Sequence, residues 1–169
     1  MKKPNSLRAA LKAALDPRHA LATDPDNLQL VITELHPACS AAPGRSFENR
    51  YKLELTFLGF AGDVLEIQIP LMVWLERWQS ELLASPEASA AGIQITAIPH
   101  TDDTSDIMIV LKLSERVAFR PRPGGGYDVA YAEEPMPFAL DDVDAEPLHA
   151  VYLDGAQILH CEAHPAAGV

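Results

Sequence analysis

The chain has 169 residues, 48% of them hydrophobic, and carries 24 Asp and Glu against 13 Lys and Arg, a formal net charge of −11. That length fits one domain with room for an appendage and can bury roughly two-thirds of its unfolded surface. No apolar run nears the ~20 residues that span a bilayer, and an acidic balance opposes sequestering of DNA, which needs Lys and Arg against phosphate.

The first element is an amphipathic helix. Asn5 or Ser6 is the predicted N-cap, and Leu7, Ala10, Leu11, Ala14 and Leu15 form one apolar stripe at helical spacing. Arg8 and Lys12 within it, and the lack of an apolar core after Lys2 and Lys3, argue against a signal peptide. Asp16-Pro17 stops the helix, because a residue before proline is pushed out of the α region. Leu28 to Thr33 reads as a strand, and His36 to Arg45 as a loop.

The clearest strand follows. Phe47, Tyr51, Leu53, Leu55 and Phe57 share one face, while Glu48, Arg50, Lys52, Glu54 and Thr56 share the other. Gly59 to Asp63 is a turn, and Val64 to Ile69 fits either strand or helix. Pro70 suits the first turn of a helix with Leu71, Trp74, Leu75, Trp78 and Leu82 as its buried stripe; Arg77 and Glu81 form an i, i+4 pair, and Ser85-Pro86 ends the element. Trp74 and Trp78 are expected against the face that carries Tyr51, Leu53, Leu55 and Phe57. Four short strands are predicted next: Gly92 to Ala97, Asp106 to Leu113, Arg116 to Pro121 and Tyr127 to Tyr131, the last two joined as a hairpin by Pro123-Gly124-Gly125-Gly126. Residues 132–148 hold six acids and three prolines and read as irregular. Asp154-Gly155 is a strong two-residue turn signal, pairing Val151 and Leu153 with Ile158 and Ala156.

The predicted fold class is therefore α+β: a mostly antiparallel sheet of about five strands with two amphipathic helices on one face. The predicted division is a domain over 1–131 and an acidic, Pro-rich extension over 132–169. Charge follows that division. Residues 1–122 hold all 13 Lys and Arg against 15 acids, whereas 123–169 hold nine acids and no Lys or Arg. The extension's charge serves solubility, repels passing DNA, or docks on a basic partner.

Reactive chemistry finds little support. His160-Cys161-Glu162-Ala163-His164 has zinc-ligand types but no second pair at metal spacing. Asp102, Asp103 and Asp106 lack the calcium-loop spacing and its later glutamate, so a solvated turn is the plainer reading. There is no Gly-x-Ser-x-Gly, and Pro123 to Gly126 lacks the Lys-Ser/Thr of a phosphate loop. Cys39 and Cys161 are expected as two free, buried thiols rather than a disulfide. No catalytic residue, cofactor or metal is assigned. The basic features are Arg116, Arg120 and Arg122, alternating on one strand face, with Arg50 and Lys52 on another. They are either solvated or an interface in which arginines pair with carboxylates.

The run Ser46-Phe47-Glu48-Asn49-Arg50-Tyr51-Lys52-Leu53-Glu54-Leu55-Thr56-Phe57, then Gly59-Phe60-Ala61-Gly62-Asp63, then Pro70-Leu71-Met72-Val73-Trp74-Leu75-Glu76-Arg77-Trp78-Gln79, and later Leu113-Ser114-Glu115-Arg116-Val117, resembles the tail completion protein R family of P2-type contractile-tailed phages. The likeness covers roughly residues 1–135 and contains no reactive-site motif. It implies a structural, non-enzymatic part that finishes the head-proximal end of a tail, as a ring, so that the tail can join a filled head. The implied partners are copies of itself (a hexamer), a tail tube or sheath protein, and head–tail connector proteins, without sequence-specific nucleic acid or membrane. The implied location is the host cytoplasm during assembly, then the tail of a virion or phage-derived particle. The alternative is a non-phage adaptor or inhibitor module that uses the acidic C-terminal segment.

Overall fold

A computed structural model describes residues 1–15, 27–39, 45–101, 103–134 and 150–160. It is an α+β fold whose five-stranded sheet is antiparallel throughout. Helix α1 spans Lys2–Ala14, strand β1 Leu28–Cys39, strand β2 Ser46–Phe60 and helix α2 Leu65–Trp78. After a 3-10 turn at Ser80–Leu83 come a short helix α3, Pro86–Gly92, and strands β3 Ile93–Pro99, β4 Ser105–Pro121 and β5 Tyr127–Tyr131. Strands β6, Ala150–Leu153, and β7, Ala156–His160, form a separate two-stranded sheet. Among the described residues no helix is long and apolar enough to cross a membrane.

The sheet order is β1-β2-β4-β3, with β5 also paired to β4. Strands β2 and β4 are its spine, in register from Ser46 opposite Ala118 to Phe57 opposite Ile107. Period-two alternation puts Tyr51, Leu53, Leu55 and Phe57 on one face with Ile107, Ile109, Leu111 and Leu113, all buried. Leu7 and Leu11 of α1 and Ile67, Leu71, Trp74 and Leu75 of α2 close the core over that face. Each such side chain contributes about 1.5–3 kcal/mol by leaving water.

Several boundaries differ from expectation, each for a physical reason. Helix α1 begins at Lys2 instead of after Asn5 or Ser6, because Glu115 supplies the acceptor that a local cap would have given: its Oε1 takes the N–H groups of Lys2 and Lys3 at 2.7 and 2.6 Å. Ser6 lies inside the helix and accepts from Trp74 Nε1. His36 to Cys39 are strand, paired with Arg50 to Phe47 beyond a bulge between Thr33 and His36. Cys39 is free but exposed, against the expected burial. Cys161 lies outside the described residues.

Helix α2 starts at Leu65, so Val64 to Ile69 is essentially helical and Pro70 sits inside the helix rather than in its first turn. Asp63 and Glu66 form a reciprocal capping pair: Asp63 Oδ1 accepts from Leu65 N–H, and Glu66 Oε1 from Asp63 N–H. Ser85-Pro86 starts an element instead of ending one. Ser85 caps α3 by accepting from Ala88 N–H, and Pro86 occupies its first turn. That makes three helices where two were expected.

The two strands expected over Asp106 to Leu113 and Arg116 to Pro121 are one continuous strand, held straight by β2 along its whole length. The β4–β5 hairpin forms as expected. So does the Asp154-Gly155 turn, with both residues at positive φ (48° and 82°) and Leu153 opposite Ala156; a register shift places Val151 opposite Leu159 instead of Ile158. The expected irregularity of residues 132–148 falls almost wholly outside the described residues.

Candidate assembly interface

The face of the sheet away from the helices carries the charge. On β2, Arg50 and Lys52 point there, and on β4 so do Lys112, Arg116 and Arg120, since Lys52 stands opposite Lys112 and Glu48 opposite Arg116. The structure thus puts Arg50 and Lys52 on the same face as Arg116 and Arg120, not a different one. Arg122 leaves that row. The strand ends at Pro121, and Arg122 turns to Asp128 across the hairpin, Nε to Oδ1 3.4 Å. Lys112 was missed by the sequence reading, although its spacing of four residues from Arg116 was the available signal.

Two of these bases are already neutralised locally. Lys52 Nζ donates to Glu34 Oε1 at 2.6 Å, and Arg50 Nε to Glu48 Oε2 at 2.7 Å. The Lys52 hydrogen bond holds the Glu34 carboxyl below its usual range, and the Arg50 hydrogen bond does the same for Glu48. Lys112, Arg116 and Arg120 are exposed and lie within 4 Å of no carboxylate among the described residues. Lys52 opposite Lys112 is a like-charge cross-strand pair, which destabilises an isolated sheet and favours an anionic neighbour. An open groove runs between them, lined by Glu34, His36, Arg50, Lys52, Lys112 and Ser114.

The opposite face holds a buried polar centre. Strand β3 covers β4 only as far as Leu111, and β5 begins opposite Val117. The intervening edge of β4 would have an orphan donor at Ser114. Gln79, just past α2, fills the gap: its Oε1 accepts from Ser114 N–H at 3.1 Å and from Lys3 Nζ at 2.7 Å. Lys3, 1% exposed, is neutralised by Glu134 at 2.9 Å. Burial, and then the charge of nearby Glu115, push the Tyr51 phenol far up, so it stays protonated. These groups carry structure, since each is engaged with backbone or with a helix end.

Among the described residues no three His, Cys, Asp or Glu side chains are grouped to hold a metal ion. Asp106 accepts from Gly59 N–H and pairs with His100, while Asp102 and the Cys161 to His164 cluster lie outside the described residues. What the described residues define is an α+β protein with a helix-covered face and an open, charged one.

Comparison with known proteins agrees. The family model for P2 phage tail completion protein R (GpR) matches residues 1–135. The chain is 32% identical over 137 residues to tail completion protein R of Escherichia phage P2, covering 81% of this chain and 86% of that protein. No solved structure matches. The chain belongs to the P2 tail completion protein R family and is a phage tail completion protein.

Proposed function

We propose that this protein finishes the head-proximal end of a contractile tail as a closed ring, so that a completed tail can join a filled head. The family match carries this reading, because it spans α1 through β5 and therefore the whole five-stranded sheet. It favours a tail component over a non-phage adaptor and a structural role over an enzymatic one. The partners are copies of the chain itself, six in a ring that caps a six-fold tube, together with a tail tube or sheath protein and a head–tail connector. The protein acts in the host cytoplasm during assembly and remains in the tail.

The open sheet face supplies the polar contacts. Arg50, Lys52, Arg116 and Arg120, with Lys112 between them, meet carboxylates of a neighbouring subunit or of the tube. Arg122, at the hairpin, extends that surface. The acidic extension over 132–169 lies beyond this sheet as a second unit, and its charge repels passing DNA from the tail end.

Arg120→Glu tests the reading. The variant should fold as the parent does, since Arg120 is exposed. Its assembly, followed by light scattering and by electron microscopy of tails, should weaken at low salt. Assembly equal to the parent's would leave this face merely solvated.

A further inference from the structure

Strand β5 is an exposed apolar margin with no helix over it. All five of its residues are exposed. Tyr127, Val129 and Tyr131, at 57, 64 and 39% exposure, lie on the helix side of the sheet, opposite Pro121, Phe119 and Val117. Phe119 joins them to Phe47, with ring centroids 5.7 Å from Tyr127 and 6.2 Å from Phe47. The charge on β5, Asp128, falls on the other face and is paired with Arg122. Edge strands are normally guarded by Lys, Pro or a bulge; β5 has none of them.

The other margin of the sheet carries a second apolar strip. On β1, Val31, Ile32 and Leu35 are 51, 38 and 48% exposed, and the strand contains no Lys or Arg. The bulge between Thr33 and His36, with Glu34 at φ 51°, leaves Leu35 outside the ladder with β2. Every basic residue of the sheet sits on its two central strands. The two strips, Val31 to Leu35 and Tyr127 to Tyr131, are each five residues long, roughly 13 Å at strand rise. They lie at opposite margins of one sheet.

We propose that the Tyr127–Val129–Tyr131 strip of one copy docks on the Val31–Ile32–Leu35 strip of the next. The occupant is a second copy of this chain because the same chain carries both apolar strips, matched in length and facing opposite ways. Two different surfaces meeting head to tail generate a ring or a filament, never a self-limiting symmetric dimer. Each strip is smaller than the roughly 800 Å² per partner of a standard interface. A single contact is therefore weak, and closure, which engages both margins of every copy, is what makes the assembly persist. The inference rests on the ring reading and adds which surfaces meet.

The test uses the full chain, alone and on purified tail tubes, with the single variants Val129→Lys and Leu35→Lys. Unchanged melting curves verify that both fold, as expected at exposed sites. By analytical ultracentrifugation each variant should need at least tenfold more protein than the parent for half-assembly. A mixture of the two retains one intact contact and should cross-link as a heterodimer and no further. If the parent assembles and either variant matches it, the proposed docking is wrong while the ring stands. If the parent stays monomeric both alone and on tubes, the ring reading fails and this inference with it.

Discussion

Glu115 lies on a central strand, and its carboxylate caps a helix that begins more than a hundred residues earlier in the chain, taking the N–H of Lys3 at 2.6 Å and that of Lys2 at 2.7 Å. The pairing is electrostatically apt, because the exposed N–H groups at a helix start carry partial positive charge. It also fixes where α1 lies over the sheet, since the cap is 2% exposed and cannot swing away.

Glu115→Ala should therefore destabilise the protein by about 2 kcal/mol, the upper end for losing an N-cap acceptor. Glu115→Gln keeps an oxygen in place and should lose less. Urea unfolding gives both values, and an alanine variant with the parent's midpoint would show that α1 holds its position without the cap.

The two tryptophans of α2 should separate clearly. Trp74 is 4% exposed and donates to Ser6, whereas Trp78 is half-buried, stacked on Trp74 with centroids 6.2 Å apart and lying beneath Lys2. Trp74→Ala should cost about 3–5 kcal/mol. Trp78→Ala should cost nearer 1–2 kcal/mol, an ordinary substitution. Calorimetric melting of the pair decides; equal losses would mean that Trp78 is as much a core residue as its neighbour.

The parts of this fold legible in the sequence are those with a strong local period. The Tyr51 to Phe57 alternation and the Leu7, Leu11, Ala14, Leu15 stripe specify buried faces by themselves. The start of α1 was misplaced because its cap comes from Glu115, a contact no local window contains. Fusion of the two predicted strands into β4 has the same origin: Ser114 and Glu115 look like a break until β2 is seen to run alongside. The basic residues were visible, but their sharing of one face depends on the β2–β4 register. Lys112 was passed over because the reading began from arginines.

Gly59 and Asp106 give a pH-dependent prediction. Gly59 has φ 60° and donates to Asp106 Oδ1, and this bond, with the His100 contact second, holds the Asp106 carboxyl below its ordinary value. A carboxyl lowered in the fold stabilises above its unfolded pKa and loses that contribution as pH falls through the folded one. Asp106→Ala should thus lower the unfolding midpoint at pH 7, and the gap to the parent should close as pH falls below the ordinary aspartate range. A gap that widens in acid contradicts the assignment.

Gly59→Ala acts on the same turn through the backbone. Open space surrounds the site, so the cost is conformational alone: a side chain at φ 60° costs about 1–2 kcal/mol. Thermal unfolding measures it, and a neutral substitution would mean that the turn relaxes to negative φ.

Removing the C-terminal residues should depend sharply on the point of truncation. Lys3 is buried, and its Nζ has Glu134 at 2.9 Å and Gln79 at 2.7 Å. Ala132 N–H continues the ladder to Arg116 O. Ending the chain after Tyr131 removes both Ala132 and Glu134, leaving a buried ammonium with only a neutral partner. Breaking a buried pair costs about 3–5 kcal/mol. The side chain of Glu134 is 25% exposed, so the loss should fall at the lower end, about 3 kcal/mol. Ending the chain after Glu134 spares these contacts and should leave the melting curve of the five-stranded sheet unchanged. Comparing the two truncations with Lys3→Met in the longer one closes the argument. A methionine there has no charge to neutralise, so in that background the further cut to Tyr131 should cost clearly less. An equal cost in both backgrounds would show that Glu134 matters through something other than Lys3.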